Sequence, residues 1–65
     1  MIEIGYTTSS NEDTVTGSYD SPVEANSAII ELRDDLSTRQ EIITFFMQTD
    51  FGQGMQRYGF LDPAE

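Results

Sequence analysis

The stretch Asp20-Ser21-Pro22-Val23-Glu24-Ala25-Asn26-Ser27-Ala28-Ile29-Ile30-Glu31-Leu32-Arg33-Asp34-Asp35-Leu36-Ser37 decides how this chain folds, because it carries a start signal and a core stripe together. Ser21 suits the N-cap, where its hydroxyl accepts a bond from a first-turn N–H, and Glu24 three residues on completes a capping box. Pro22 falls at the first helical position, where a missing N–H costs nothing. Glu24 also sets a negative charge at the positive end of the helix dipole. At about 100° per residue, Ala25, Ile29, Leu32 and Leu36 share one stripe with Ala28 at its edge, and this predicts the buried face. Glu24, Glu31 and Asp35 align on a second stripe beside it, while Asp34 points away from the core. Val23 and Ile30 lie off the core stripe, as apolar residues among acids.

N-terminal to this helix, Ile2, Ile4 and Tyr6 alternate with Glu3 and Gly5, the period of a half-buried strand. Residues 7–13, Thr-Thr-Ser-Ser-Asn-Glu-Asp, are polar and turn-prone, and Thr14–Tyr19 is again strand-like. A hairpin turning near Ser9–Glu12 pairs Tyr6 with Val15, Ile4 with Gly17 and Ile2 with Tyr19, giving one apolar face for the helix to cover. The acids at Asn11–Asp13 do not form a calcium loop: Gly17 comes too late and the ligand spacing does not fit.

C-terminal to it, Thr38 and Glu41 make a second capping box. Ile42, Ile43, Phe46 and Met47 then fall on one helical face, with Gln40, Glu41, Thr44 and Gln48 on the other, so a second helix is expected to end near Thr49. Beyond it three glycines interrupt the pattern. Met55–Leu61 reads as a short strand or extended arm, with Tyr58 and Phe60 on one face and Met55, Arg57 and Leu61 on the other; continued helical spacing through Phe51, Met55 and Tyr58 is the alternative. The expected fold is therefore α+β: an N-terminal β-hairpin packed by two short helices, ββαα, with a possible third C-terminal strand, in one acidic domain over residues 1–65.

The chain has 65 residues, 12 acidic and 3 basic side chains, and a net charge of −9. A chain of this length buries only about 60% of its unfolded surface, so its stability margin is narrow. There is no Cys and no His. Disulfides, thiolate or imidazole metal sites, and triad or thiolate catalysis are thereby excluded. Gly52-Gln53-Gly54 lacks the remainder of a dinucleotide or phosphate loop. No catalytic, cofactor or metal residue is expected, and an enzyme is not. The acidity disfavours direct contact with nucleic acid or an anionic membrane, because phosphates repel it. No signal segment or apolar stretch of membrane-spanning length is present, which reads as an intracellular, soluble chain.

A basic protein surface is the natural partner of such a chain. The leading expectation is a small acidic binder that inhibits or sequesters a nucleic-acid-handling protein, with Glu24, Glu31, Asp34 and Asp35 occupying phosphate positions and Ile30 as an apolar anchor. Neighbouring carboxylates on one helix face stand about 6 Å apart, comparable to phosphates along a DNA strand. In size and charge the chain is similar to small viral inhibitors of host defence, including some anti-CRISPR proteins; that likeness is one of bulk properties, not motifs. The competing expectation is an assembly subunit, docking onto a larger complex or a second copy through Phe51, Met55, Arg57, Tyr58 and Phe60, residue types enriched at interface centres. A third account gives the charge no contact at all: an acid-rich, lysine-free surface suits a high-salt cytoplasm.

Overall fold

β1 (Ile2–Thr8) and β2 (Asp13–Tyr19) form the expected antiparallel hairpin. Its loop closes with Asn11 N–H donating to the Thr8 carbonyl at 2.9 Å, and Asn11 holds φ 64°, a left-handed conformation that asparagine tolerates. The computed structural model describes residues 1–50 and 54–63, without the Met55 side chain. Ile2–Tyr19 and Ile4–Gly17 pair as the alternation requires. The third expected pair does not form. A bulge after Ile4 leaves Thr16 as the extra residue, so Tyr6 faces Thr14 and Gly5 faces Val15. Val15 is thereby turned away from the helix side and is 46% exposed.

Helix α1 (Pro22–Asp35) starts where the capping signals place it, with the Val23 N–H donating to the Ser21 hydroxyl at 3.2 Å. Ala25 and Ile29 are buried, and Ala28, Leu32 and Leu36 pack at the margin of the core. These are the residues of the core stripe read from the sequence.

The second helix expected over Thr38–Thr49 is absent. Turns occupy residues 36–41, and Ile42–Asp50 is a strand, β3. Glu41 does not join a capping box; it pairs with Arg39 at 2.5 Å. Two physical reasons favour the strand. Ile42, Ile43, Thr44, Phe45 and Phe46 are β-branched or aromatic, types that fit a pleated surface. And β3, a central strand, buries a residue on each face at its middle: Phe45 points toward α1 and Phe46 away from it, 1% and 0% exposed, while Ile43 stays 50% exposed. A strand buried on both faces carries an unbroken apolar run, and such a run matches helical spacing as well as any other.

The Met55–Leu61 strand does form and pairs antiparallel with β3; in chain order it is β4. The architecture is thus α+β with four strands and one helix, ββαββ rather than ββαα. The sheet order is β2-β1-β3-β4 with every neighbouring pair antiparallel. β2 and β3 flank β1 and run parallel to each other, and α1 crosses between them. Its buried face meets Ile2, Ile4, Tyr6, Ile42 and Phe45. A second bulge, after Met47, leaves Tyr58 as the extra residue on β4. It separates residues that simple alternation keeps together: Leu61 joins the helix-side core, whereas Arg57 and Phe60 fall on the far face, beside Gln48 and Phe46.

That far face has no helix, and Arg57 covers it instead. The guanidinium carbon lies 4.0 Å from the Phe46 ring centroid. Its Nε donates to the Gln48 side-chain oxygen at 3.2 Å, and Gln48 donates in turn to Glu3 at 3.1 Å. A terminal nitrogen of Arg57 is ion-paired with Asp13 on β2, which also accepts from the Thr7 hydroxyl at 2.7 Å. Arg57 and Asp13 belong to the two opposite edge strands. In a flat sheet those strands stand about 14 Å apart, three spacings of about 4.8 Å, beyond the combined reach of the two side chains. The sheet is therefore curled around Phe46, and Arg57 ties its edges together.

Gly5 permits this curl. A Cβ there would press on the Thr14 carbonyl oxygen and stand 2.8 Å from the Phe46 ring. Gly5→Ala is expected to destabilise the fold by about 2–3 kcal/mol, at the upper end of overpacking costs. Gly17→Ala, whose Cβ meets only the Tyr19 side chain at 3.2 Å and beyond, is expected to cost less than about 1 kcal/mol. Urea unfolding of the two variants beside the parent chain measures the difference.

Candidate protein-docking surface

Helical spacing divides α1 into four stripes. Ala25, Ile29, Leu32 and Leu36 are inward. Next to them, on the side of β2, run Glu24, Ala28, Glu31 and Asp35. Outermost are Val23, Ser27, Ile30 and Asp34, and Asn26 and Arg33 complete the circle on the opposite flank. Charge is therefore sorted around the helix. The four carboxylates singled out from the sequence occupy two adjoining stripes, and Arg33 lies across the helix from Glu24, Glu31 and Asp35. All four acids are exposed, as are Val23 (76%) and Ile30 (40%).

The other two cations are committed elsewhere. Arg39 pairs with Glu41, lies 5.5 Å from the Tyr6 ring centroid and donates to the Tyr6 hydroxyl at 3.4 Å. Its partner Glu41 holds it above the ordinary guanidinium range. Glu41 itself is held below the usual carboxylate range, by a backbone N–H first and by Arg39 second. Arg57 is held by Asp13 and Gln48. Among the described residues, no ion pair reaches Glu24, Glu31, Asp34 or Asp35.

A groove of about 210 Å3 runs between α1 and β2. Glu31 and Asp35, one turn apart, form its helix rim; Thr16 and Tyr19 form its strand wall; Ile4, Ala28 and Leu32 line it between them. The sequence shows the two acids on one stripe but not what faces them. The opposite wall depends on the β2 bulge, which sets Thr16, and on Gly17, over which the Tyr19 side chain lies. No short-range pattern announces that meeting.

The C-terminal candidates are divided by the structure. Phe51 lies outside the described residues, and so does the Met55 side chain. Arg57 is occupied by the Phe46 ring and Asp13. Tyr58 and Phe60, on edge strand β4, are 45% and 65% exposed. They stand across the sheet from β2, so the acidic helix flank and the aromatic edge are separate surfaces. Among the described residues no three His, Cys, Asp or Glu side chains gather as a metal site, and no helix is long and apolar enough to cross a membrane. No protein-family model, curated protein or solved structure matches this chain.

Asp34 and Asp35 sit in the last turn of α1, against the negative end of the helix dipole. Each opposes helix formation by about 0.3–1 kcal/mol at low ionic strength. The double variant Asp34→Asn, Asp35→Asn is therefore expected to be more stable than the parent, with Tm raised by several degrees in low salt and the gain shrinking as salt is added. Calorimetry at two ionic strengths checks this. The Arg57–Asp13 tie has the opposite sign. Arg57 first, and the Thr7 hydroxyl second, hold the Asp13 carboxyl below the usual carboxylate range. Its contribution is complete above about pH 4, the unfolded value, and is lost as pH falls through the lower folded value. The Phe46 ring resonances are expected to move over that acid range by NMR, and to stay still there in Asp13→Asn.

Proposed function

We propose that this chain is a small binding protein that inhibits or sequesters a basic, nucleic-acid-handling protein by presenting the acidic side of α1 where that protein otherwise holds phosphates. The single observation behind the reading is that Glu24, Glu31, Asp34 and Asp35 are exposed and have no ion pair among the described residues, while Arg39 and Arg57 are engaged with other acids. Carboxylates one helical turn apart offer a basic surface a regular series of charges. Val23 and Ile30, exposed within the same surface, add apolar contact area that charge alone does not provide. Charge steers the encounter and selects the partner, and the apolar contacts hold it. The acids at the helix end oppose its dipole, so stability of the free fold does not account for them.

A second reading has its own support. Phe60 and Tyr58 are exposed on an edge strand whose one cation is drawn onto the far face of the sheet. An uncharged, aromatic edge is a template for strand addition by a larger assembly or a second copy.

Affinity capture with the full chain, followed by mass spectrometry, separates the two. Under the first reading the captured proteins are basic. Once such a partner is purified, its affinity falls at least tenfold, roughly, between about 0.05 and 0.3 M salt. The variant Glu24→Gln, Glu31→Gln, Asp34→Asn, Asp35→Asn loses it. An affinity that ignores salt sinks this reading. Capture that survives neutralisation but disappears in Tyr58→Ser, Phe60→Ser assigns the interface to β4 instead.

A further inference from the structure

We infer that the groove between α1 and β2 seats one arginine side chain of the basic partner. The inference rests on the acidic-surface reading above and adds to it a place and a residue type. At about 210 Å3 the groove is smaller than the roughly 300–1,000 Å3 of pockets that hold drug-sized ligands and cofactors, and it suits a single side chain. Its lining is apolar at Ile4, Ala28 and Leu32, which matches the methylene stem of a long cationic residue. Its helix rim carries Glu31 and Asp35, and neither carboxylate has an ion pair among the described residues. Both belong to the C-terminal half of α1, where the helix dipole adds negative potential to their own. The strand wall carries Tyr19, an aromatic ring beside the two acids.

The chemistry favours guanidinium over ammonium. A planar, five-donor group bonds to two carboxylates at once and stacks on an aromatic ring, and it is less strongly hydrated than the lysine head. The ring also attracts the cation through its quadrupole. Net charge argues against a second copy as the occupant: two chains of −9 repel, and the three arginines of each are partnered or lie off this flank. One arginine seated here fixes the partner's position along the helix, while Glu24 and Asp34 act as less specific charges beside it.

NMR titration of the full isotope-labelled chain tests this with three probes: acetyl-Gly-Arg-Gly-amide, its neutral citrulline counterpart, and hexa-arginine. The arginine peptide is expected to move the amide signals of Ala28, Leu32 and Tyr19 saturably, with citrulline inert. Glu31→Gln, Asp35→Asn is expected to weaken binding about tenfold, in line with the loss of charge-assisted bonds. Ala28→Met, which fills the groove and keeps every charge, is expected to abolish the response. Shifts spread evenly over all acidic positions, acetyl-Gly-Lys-Gly-amide binding as well as the arginine peptide when titrated alongside these probes, or an unchanged response in Ala28→Met each overturn the groove assignment. Hexa-arginine distinguishes the levels. If Ala28→Met binds it like the parent while the four-acid variant does not, the groove inference falls and the acidic-surface reading stands. If the four-acid variant also binds it like the parent, the reading itself falls.

Discussion

A four-stranded sheet has two faces, and the described residues of this chain supply one helix to cover them. The rest of the structure follows from that shortage. Consecutive residues of the central strand β3, Phe45 and Phe46, point to opposite faces and are both buried. Phe45 has α1 above it. Phe46 has no second layer, so the sheet curls around it and Arg57 reaches across to Asp13 on the other edge. Two bulges and Gly5 make the curl possible. The result is a second, miniature core on the far face, closed by a cation instead of a helix. A charged side chain serves there because its stem and flat guanidinium cover the ring while its edge remains hydrogen-bonded.

This solution fixes the electrostatics of the surface. With three arginines in the chain, assigning Arg57 to Phe46 and Arg39 to Tyr6 and Glu41 leaves only Arg33 on α1, on the flank away from the acid stripe. Among the described residues, no ion pair reaches the helix acids Glu24, Glu31, Asp34 and Asp35. The same packing that completes the fold leaves one side of α1 strongly negative, and the groove against β2 places Ile4, Ala28 and Leu32 between the acids of that side and the Thr16–Tyr19 wall. Folding and docking share the arginine supply, and folding takes it.

The helix was legible because its signals are local. Ser21, Pro22 and the 25–29–32–36 stripe report on residues a few positions apart, and α1 forms on them. The hairpin was legible for the same reason as far as Ile4, where the bulge intervenes. Helical spacing predicts a helix over Thr38–Thr49, whereas Ile42–Asp50 is a strand: apolar residues crowd Ile42–Met47, and periodicity decides little where consecutive residues such as Phe45 and Phe46 are buried on opposite faces. The bulge after Met47 likewise turned Arg57 away from Leu61, against simple alternation. Of the candidate site, the acid stripe and the exposure of Ile30, Tyr58 and Phe60 follow the sequence. The engagement of Arg57 with Phe46 and Asp13 does not, and neither does the groove.

By itself the sequence determined the helix, its two faces, the hairpin turn and the large excess of negative charge, because each depends on chemistry within a turn or two of chain. Only the tertiary structure decided that residues 42–50 form a central strand, that Arg57 meets Asp13 from 44 positions away, and that Tyr19 faces Glu31 and Asp35. Those outcomes depend on which strands become neighbours. That choice is made by the competition of whole faces for burial, which no short stretch of residues records.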